Sequence, residues 1–430
     1  MGLGDGATGG AGGFTFLPVT TPYPVERRAG YFAPDTINFI LNLGRALHTY
    51  GYAAHRLEAV LGKASLDLGV EAQFFSTPTS IMVAFGSMEG QRTFMIRVQP
   101  GEQDLGKLTQ LDAIALQVLK GDLAPAEGSG RIELISAAPP RYGLGLTALA
   151  FGLTSGAATR FLGGGLREII VGTVLGLVVG ALAVVSVRYA AIARTFETLA
   201  SFLVAFLATV LSHSYPHSVF LATLGGIIVL VPGFTFTVSM IELSTRHLAS
   251  GTARLSAAMM TFLSILFGVA LGTALGTTVA GAPMSIAPAS VPAWYNLVAL
   301  VVAPLGFVVL LKAEQRSAPW LVLVGVLAFY SSRLGATLFG PELGSFVGAL
   351  AVGVASNLLA VLRDRPSQVF LVPGILLLVP GSVGMRSLTA LMEREVISGI
   401  ETAFRMVVIA VSIVAGILIA NVIGPRRSLP

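Results

Sequence analysis

The chain has 430 residues, of which 54% are hydrophobic and 11% are charged, and its mean hydropathy is +0.81. Soluble proteins carry about a quarter charged residues, so this composition excludes an ordinary soluble protein and predicts a polytopic membrane protein with a hydrophilic front end. The net charge is +5, but Lys and Arg flank apolar segments, which favours a lipid bilayer and no nucleic acid as partner. The sequence contains no cysteine, which excludes disulfides and thiolate chemistry.

The hydrophilic front end divides into a tail and a small domain. We expect residues 1–32 to be a disordered tail without a signal peptide, since they begin with a Gly-, Ala- and Thr-rich stretch that has no basic or apolar region. Residues 33–141 are predicted to form an α+β accessory domain and its linker. Helical spacing covers Thr36–Tyr50, Ala53–Leu68 and Leu105–Lys120; β-rich runs cover Glu71–Thr77, Ser80–Phe85 and Thr93–Val98, which predicts a meander; and the linker, 121–140, holds one predicted short strand, Arg131–Ile135.

Ten apolar segments follow, which predicts about ten transmembrane helices in two five-helix repeats, 142–280 and 290–426. The fourth segment of each half is shorter than a full span and continues as a more polar stretch, which is typical of a broken or re-entrant helix. The segments are 143–160, 168–187, 196–212, 217–233, 253–276, 294–311, 319–338, 343–362, 369–381 and 401–424.

An internal repeat relates the two halves. The octapeptide Gly226–Gly233 (GIIVLVPG) recurs 148 residues later as Gly374–Gly381 (GILLLVPG), and the same offset pairs Arg246 with Arg394. Because each repeat has an odd number of predicted spans, the second half should cross the membrane in the opposite sense, giving inverted repeats.

The distribution of positive charge predicts a cytoplasmic front domain and a multi-pass protein of the inner or plasma membrane. With this orientation most basic loop residues fall inside, although Arg160, Arg167, Arg386 and Arg394 go against the trend. The residues inside are Arg188, Arg194, Arg246, Arg254, Lys312, Arg316, Arg363, Arg365, Arg426 and Arg427.

The two Pro-Gly breaks are the candidate substrate site. Proline removes a backbone donor and glycine permits unusual conformations, so each helix stops and leaves backbone groups free to bind a polar solute. A half-helix beginning at Thr235 or Ser382 would direct free N–H groups at a carboxylate. The alternative is that both breaks are ordinary helix ends. The residues concerned are Pro232, Gly233, Thr235, Thr237, Ser239, Pro380, Gly381 and Ser382.

Three further side chains have both a functional and a plain structural interpretation. Glu242 could hold a substrate ammonium or carry the coupling proton, or it could form an i,i+4 salt bridge with Arg246. Arg386 could receive a carboxylate or be a loop arginine. For Asn357, which lies among apolar residues, the favoured interpretation is an interhelical hydrogen bond.

The sequence predicts no metal site, no cofactor and no enzyme. His213 and His217 lie four residues apart, but Pro216 between them argues against a shared helical metal face. A membrane-tethered hydrolase or sensor is the alternative from another class, since the front domain contains His48, His55 and Asp67, yet these form no recognisable nucleophile–base set.

Three ordered motif sets resemble the threonine/serine exporter family over about residues 35–424. The front set is Gly51–Glu58 (GYAAHRLE) with Phe75–Ser80 (FSTPTS), the second is Val231–Thr235 (VPGFT) with Ser250–Arg254 (SGTAR), and the third includes Ala355–Asn357, Phe370–Gly374 and Val379–Arg386. The resemblance implies roles for Arg56 and Glu58 in an accessory-domain motif and for Arg254 at the substrate site. Glu242 stands where the family more often has Asp, and Met385 where an aromatic residue is common.

The resemblance also implies a function. It indicates a secondary exporter of small polar amino acids such as threonine and serine, driven by the proton motive force and working by alternating access between the two breaks. Small dicarboxylates such as succinate are the alternative substrates. The expected partners are therefore the small-molecule substrate, protons, the lipid bilayer and a possible second copy of the chain in a homo-oligomer.

Overall fold

The computed structural model describes residues 33–87, 90–99, 101–392 and 394–425. The predicted tail, 1–32, and the basic residues Arg426 and Arg427 lie outside this range. The described chain consists mainly of helices, with one small sheet near its beginning.

The front domain, residues 33–141, contains four helices and a three-stranded sheet. Its elements are α1 (Pro34–Thr49), α2 (Ala54–Asp67), β1 (Ala72–Thr77), β2 (Ser80–Phe85), β3 (Arg92–Arg97), α3 (Leu105–Leu119) and α4 (Pro125–Ala137). The strands pair in the antiparallel order β1-β2-β3, with Thr77 opposite Ser80 in the first hairpin, so the predicted meander is confirmed. Phe39, Leu57, Ile81 and Phe85 are fully buried and join the helices to the sheet in one core.

The short strand predicted at Arg131–Ile135 is wrong, because these residues lie inside α4. Pro125 stands in the first turn of this helix, where its missing N–H costs nothing, and Glu127 pairs with Arg131 one turn later at 2.7 Å. A Cβ atom on Gly128 would lie 2.9 Å from the Phe39 ring. The glycine that suggested a linker therefore allows α4 to pack closely on α1.

Thirteen further helices are described after the front domain. In the first half they are α5 (Leu144–Phe161), α6 (Leu166–Ser186), the short α7 (Ala190–Arg194), α8 (Phe196–Ser214), α9 (Val219–Ile227), α10 (Gly233–Ser244) and α11 (Leu248–Ala280). In the second they are α12 (Trp294–Leu310), α13 (Ala318–Phe339), α14 (Pro341–Arg363), α15 (Gln368–Leu376), α16 (Gly381–Met392) and α17 (Val396–Ile423).

Seven helical segments of the described chain are long and apolar enough to cross a membrane, so the protein is a multi-pass membrane protein. They are Leu166–Ser186, Phe196–Ser214, Leu248–Ala280, Gln315–Phe339, Pro341–Arg363, Gln368–Leu391 and Val396–Ile423. Trp294–Leu310 is apolar but shorter. Helix α9 has only nine residues. The count of ten spans therefore stays a prediction.

The helix pattern of the first half returns in the second. Helix α10 begins at Gly233 and α16 begins 148 residues later at Gly381, while α11 and α17 begin at Leu248 and Val396 with the same offset. The packing of the helices is repeated as well. A Cβ atom on Gly268 would meet the carbonyl oxygen of Thr198, and a Cβ atom on the equivalent Gly416 would meet the carbonyl oxygen of the equivalent Phe346. These glycines let neighbouring helices approach closely.

The broken segment of the second half lies at the centre of the bundle. In the span Gln368–Leu391, 72% of the most apolar 18-residue stretch is buried inside the protein, against 28–44% in the other six spans. Since a lipid-facing helix leaves one side exposed, this degree of burial means that protein surrounds the second break.

The front domain is docked on the membrane helices by hydrogen bonds and ion pairs to the α12–α13 loop. The Leu105 amide donates to the Leu311 carbonyl oxygen at 2.9 Å, and the Tyr142 hydroxyl donates to the carbonyl oxygen of Ala313 at 2.6 Å. Lys312 pairs with Glu102 at 2.7 Å. The loop is therefore held by Leu105 and Glu102 of the front domain and by Tyr142, which directly follows it.

Candidate substrate site and interdomain contact

The two Pro-Gly breaks meet each other inside the bundle. A Cβ atom on Gly233 would lie 2.9 Å from both the Cα and the backbone nitrogen of Gly381, and one on Gly381 would lie 3.3 Å from Cα of Gly233. Such a close approach requires glycine on both sides. The N-termini of α10 and α16 therefore touch, and no space remains between the glycines themselves.

A large cavity runs beside this contact, with a volume of about 740 Å³. Both breaks line it, through Val231 and Phe234 from the first half and Gly381 and Ser382 from the second. One stripe of α5 forms another wall, consisting of Leu144, Thr147, Phe151, Thr154, Ala158 and Phe161. Because a helix rises 1.5 Å per residue, this stripe is roughly 25 Å long, close to the thickness of the hydrocarbon core of a bilayer.

Few polar groups interrupt the apolar wall of this cavity. Thr154 is 3% exposed, and its hydroxyl has no hydrogen-bond partner within the described chain. Ser382 stands in the first turn of α16. At the end nearest the front domain, Glu197, Glu102 and Lys312 also line the space, and Lys312 pairs with Glu102. An apolar cavity with a few placed polar groups is typical of a small-molecule site.

The hydroxyls of α10 bond within their own helix. Thr237 donates to the Gly233 carbonyl oxygen at 2.9 Å, and Ser239 donates to that of Phe236 at 2.6 Å. Both side chains are fully buried. Thr235 is half-buried, and none of the three lines the large cavity. Such back-bonding satisfies the hydroxyl donors, so this conformation offers no hydroxyl donor from Thr237 or Ser239 to a solute.

Glu242 joins the membrane helices to the front domain. Its carboxylate is fully buried and accepts hydrogen bonds from the backbone N–H of Ala54 at 2.9 Å and from the hydroxyl of Ser250 at 2.8 Å. Nε of Arg254 lies 3.0 Å from both carboxylate oxygens. Ala54 is the first residue of α2, where the positive end of the helix dipole favours an anion. A membrane-domain carboxylate therefore caps a front-domain helix.

The alternative interpretation of Glu242, an i,i+4 salt bridge with Arg246, is not found in the structure. Helix α10 ends at Ser244, and Arg246 adopts a left-handed conformation with φ of 65°, so the chain turns away before a helical i,i+4 contact can form. The turn brings α11 back alongside α10, which places Arg254 next to Glu242 instead.

The front motif that contains Arg56 and Glu58 lies at the same interface. Glu58 accepts a hydrogen bond from the Ser76 amide at 2.7 Å, and its other oxygen lies 3.3 Å from Nε2 of His247 in the α10–α11 loop. The rings of His55 and His247 lie edge to face, with 6.1 Å between their centroids. Desolvation by burial, followed by the nearby charges of Arg56, His247 and Arg254, lowers the pKa of His55 to about 3.

A second, smaller cavity of about 310 Å³ lies between α2 and the membrane helices. Its polar lining includes Arg56 and His55 from the front domain and Asn357, Ser367 and Gln368 from the membrane helices. Nη1 of Arg56 donates to the Ser367 hydroxyl at 3.1 Å. Asn357 donates from α14 to the Ala420 carbonyl oxygen on α17 at 3.3 Å, which is the expected interhelical hydrogen bond.

The structure does not bring the sequence-predicted site residues together in one place. Gly381 and Ser382 line the large cavity, and Asn357 and Arg56 line the small one. The interdomain cluster contains Glu58, Glu242 and Arg254. Gly233 contacts Gly381, and Pro232 and Pro380 directly precede these two glycines in the chain. Thr235, Thr237 and Ser239 lie on α10. Arg386 is exposed, with its guanidinium 6.0 Å from the centre of the Phe220 ring.

Sequence reasoning missed Thr154, Glu197, Gln368 and His247. The signal for Thr154 was its place in the repeating stripe of α5, and the signal for Gln368 was a polar amide at the start of an apolar segment. His247 stands between the matched Glu242 and Arg254. Within the described ranges, no group of three or more His, Cys, Asp or Glu side chains is placed to hold a metal ion.

The broken helices, the deep cavity and the docked α+β domain define a multi-pass membrane protein built around an internal solute-sized space. Residues 38–276 match the family model described as "Putative threonine/serine exporter", and residues 296–423 match the model "Threonine/Serine exporter, ThrE". The chain belongs to the threonine/serine exporter family, in a fused single-chain form that carries both halves. This confirms the resemblance of the motifs.

Curated relatives occur in yeasts. An uncharacterized protein of Schizosaccharomyces pombe is 28% identical over 80% of this chain and 43% of its own length. Pheromone-regulated membrane protein 10 of Eremothecium gossypii is 27% identical over 86% of this chain and 50% of its own length, and that of Saccharomyces cerevisiae is 26% identical over 85% and 48%. The chain spans about half the length of the curated relatives it matches. No solved structure matches it.

Proposed function

We propose that the chain is a secondary active exporter of small polar amino acids, with threonine and serine as its substrates. The proton motive force drives export, and the two halves, acting as inverted repeats, alternate access around the site at the two Pro-Gly breaks. The front domain faces the cytoplasm of a cell whose inner or plasma membrane holds the chain.

The large cavity carries this proposal. It follows α5 for roughly the thickness of a bilayer core, and both breaks stand in its wall. Free backbone groups at membrane depth are tolerated where they face protein or a wet cavity, and residues of both breaks line this cavity. A solute that enters beside Glu197 can reach Ser382 and Thr154 through one continuous space.

The charge of the lining favours an amino acid over a dicarboxylate. Among the described residues that line the large cavity, the acidic ones are Glu102 and Glu197 and the basic one is Lys312, already paired with Glu102. Glu197 can attract the ammonium of a zwitterion, whereas a dianion would meet more negative than positive charge. Succinate is therefore the comparison substrate in the test.

Counterflow in proteoliposomes tests the proposal. Vesicles with the purified chain are preloaded with unlabelled threonine, serine or succinate, and uptake of the labelled solute is followed with and without a pH gradient. We expect exchange of threonine and serine, and acceleration of net export by the gradient. Exchange of succinate alone would replace the substrate class, and no exchange of any of the three would contradict the exporter.

Two conservative variants locate the path. Thr154→Val and Ser382→Ala each remove one hydroxyl from the cavity, and loss of one hydrogen bond of 0.5–1.5 kcal/mol should weaken apparent affinity by about two- to tenfold. Thr278→Val is the matched control, because this exposed hydroxyl of α11 bonds only to its own helix. Equal kinetics in all three variants would place the path elsewhere.

A further inference from the structure

The small cavity holds a cation without an acidic partner. Arg56 is half-buried, and its guanidinium makes no ion pair with any residue that the structure describes. Ser367, a neutral hydroxyl, is its hydrogen-bond acceptor. The described lining of the cavity contains no Asp or Glu. A guanidinium withdrawn from water in this way is costly unless an anion compensates it.

The same cavity holds an acceptor without a donor. Gln368, at the start of α15, is 6% exposed, and its Oε1 atom has no hydrogen-bond partner among the described residues. Buried amide oxygens normally accept at least one hydrogen bond. The cavity therefore presents one uncompensated cation and two buried polar atoms without a partner, Oε1 of Gln368 and Nδ1 of His55. Leu371, Val372 and Ile375 add apolar surface to its wall.

We propose that this interdomain cavity is a second binding site, separate from the transport path, for a small amino acid. The ligand's carboxylate pairs with the Arg56 guanidinium, its ammonium or hydroxyl donates to Oε1 of Gln368, and its short side chain packs on the apolar wall. Guanidinium groups suit this task, since they bind carboxylates in a bidentate geometry. The identity of the ligand rests on the proposed function; the existence of an anion site does not.

Such a ligand would link the two domains. Arg56 comes from the front domain, and Gln368 and Ser367 come from the membrane helices. Because the site is complete only when the front domain is docked, ligand binding stabilises docking, and docking raises affinity by the same factor. The front domain thereby senses the solute that the membrane helices move.

Thermal unfolding and calorimetric binding on the purified full chain, in detergent without anionic lipid, test the site. Threonine, serine, succinate and inorganic phosphate are the probes. We expect threonine and serine to raise the unfolding midpoint, and Arg56→Gln to weaken their binding about ten- to a hundredfold, as loss of a charge-assisted contact does. Lys63→Gln is the matched control, since it removes an exposed cation from the same helix.

A second variant keeps the test independent of folding. Gln368→Glu places a carboxylate in the cavity, where it can compensate Arg56. We expect this variant to unfold at a higher temperature than the unmodified chain in the absence of ligand, and the ligand-induced shift to disappear. A lower midpoint together with a retained shift would overturn the site.

The remaining outcomes separate this site from transport. Counterflow that persists in Gln368→Glu, with loss of calorimetric binding at this site, supports two distinct sites. Threonine binding unchanged by Arg56→Gln overturns the inference while leaving the exporter intact. Arg56-dependent binding of succinate or phosphate alone overturns the amino-acid assignment, and stabilisation only on adding anionic lipid identifies a lipid headgroup instead, which also overturns it.

Discussion

The hairpins that follow the two breaks have the same frame but different charges. In the α10–α11 hairpin, a Cβ atom on Gly251 would lie 2.9 Å from the backbone nitrogen of Leu243; in the α16–α17 hairpin, one on Gly399 would lie 3.2 Å from that of Leu391. Both hairpins turn through a left-handed arginine, Arg246 with φ of 65° and Arg394 with φ of 66°.

The buried ion pair of the first hairpin is not repeated in the second. At the 148-residue offset, Ala390 stands in place of Glu242 and Thr402 in place of Arg254. The first hairpin meets the front domain through Glu242 and Ala54. The comparison teaches that the glycine packing belongs to the broken-helix frame of both halves, whereas the buried ion pair belongs to the docking of one domain on one half.

The sharpest test of the comparison asks whether the hairpins face opposite sides of the membrane. Leu248 and Val396 are equivalent, exposed first residues of α11 and α17, and the chain has no other cysteine to label. We expect an impermeant maleimide outside intact cells to label Val396→Cys and not Leu248→Cys. Detergent-opened cells are the control for access. Equal labelling of both positions from outside would contradict inversion.

The next largest effect should distinguish the two glycines of the break contact. The added methyl of Gly233→Ala would lie 2.9 Å from backbone atoms of Gly381, while that of Gly381→Ala would lie 2.8 Å from a side-chain carbon of Val231, which can move more easily. Counterflow should therefore fall about a hundredfold or more in the first variant and less in the second. Similar flux in both, at equal membrane content, would mean that the contact opens freely.

Breaking the charged pair of the first hairpin should destabilise the chain by an intermediate amount. Glu242→Ala leaves Arg254 and the Ala54 amide without their carboxylate, at a cost of about 3–5 kcal/mol for a buried pair, toward the lower figure because Arg254 keeps 19% side-chain exposure. The control is Glu401→Gln in the second half, since its pair with Arg405 is exposed. The measurement is the thermal unfolding midpoint; equal shifts in both variants would show that the carboxylate is not a docking element.

The smallest effect concerns pH at the interface. Burial and the neighbouring charges of Arg56, His247 and Arg254 lower the pKa of His55 to about 3, against 6.5 for an unperturbed histidine. Between these values the unfolded chain binds the proton and the folded chain does not, so stability is complete above pH 6.5 and declines as the pH falls toward 3. The unfolding midpoint of His55→Asn, measured from pH 7.5 to 5, should decline less than that of the unmodified chain. Parallel curves would remove His55 from this dependence.

Sequence patterns predicted the local elements well. The β-rich runs marked the strands of the front domain, and the repeated Pro-Gly pairs marked both breaks, because backbone preferences act over a few residues. The bond of Asn357 to the neighbouring helix followed from the cost of an unpaired amide among apolar residues.

The features that the sequence patterns did not predict depend on contacts between segments that are far apart in the chain. Helical spacing offered Arg246 as one possible partner of Glu242, but the left-handed turn at Arg246 brings Arg254 to the carboxylate instead. Helix α4 resembled a linker because the fit of Gly128 against Phe39 exists only in the folded domain. The cavity along α5, likewise, is enclosed by segments from the front domain and from both membrane halves.

The contact between Gly233 and Gly381 makes each repeat sensitive to substitutions in the other. A methyl group added at one glycine has to be accommodated by the other repeat, so the two positions cannot be substituted independently. If the halves were made as separate polypeptides, the same two atoms would become part of a subunit interface. The internal repeat doubles the motif, but this contact places both copies under one packing constraint.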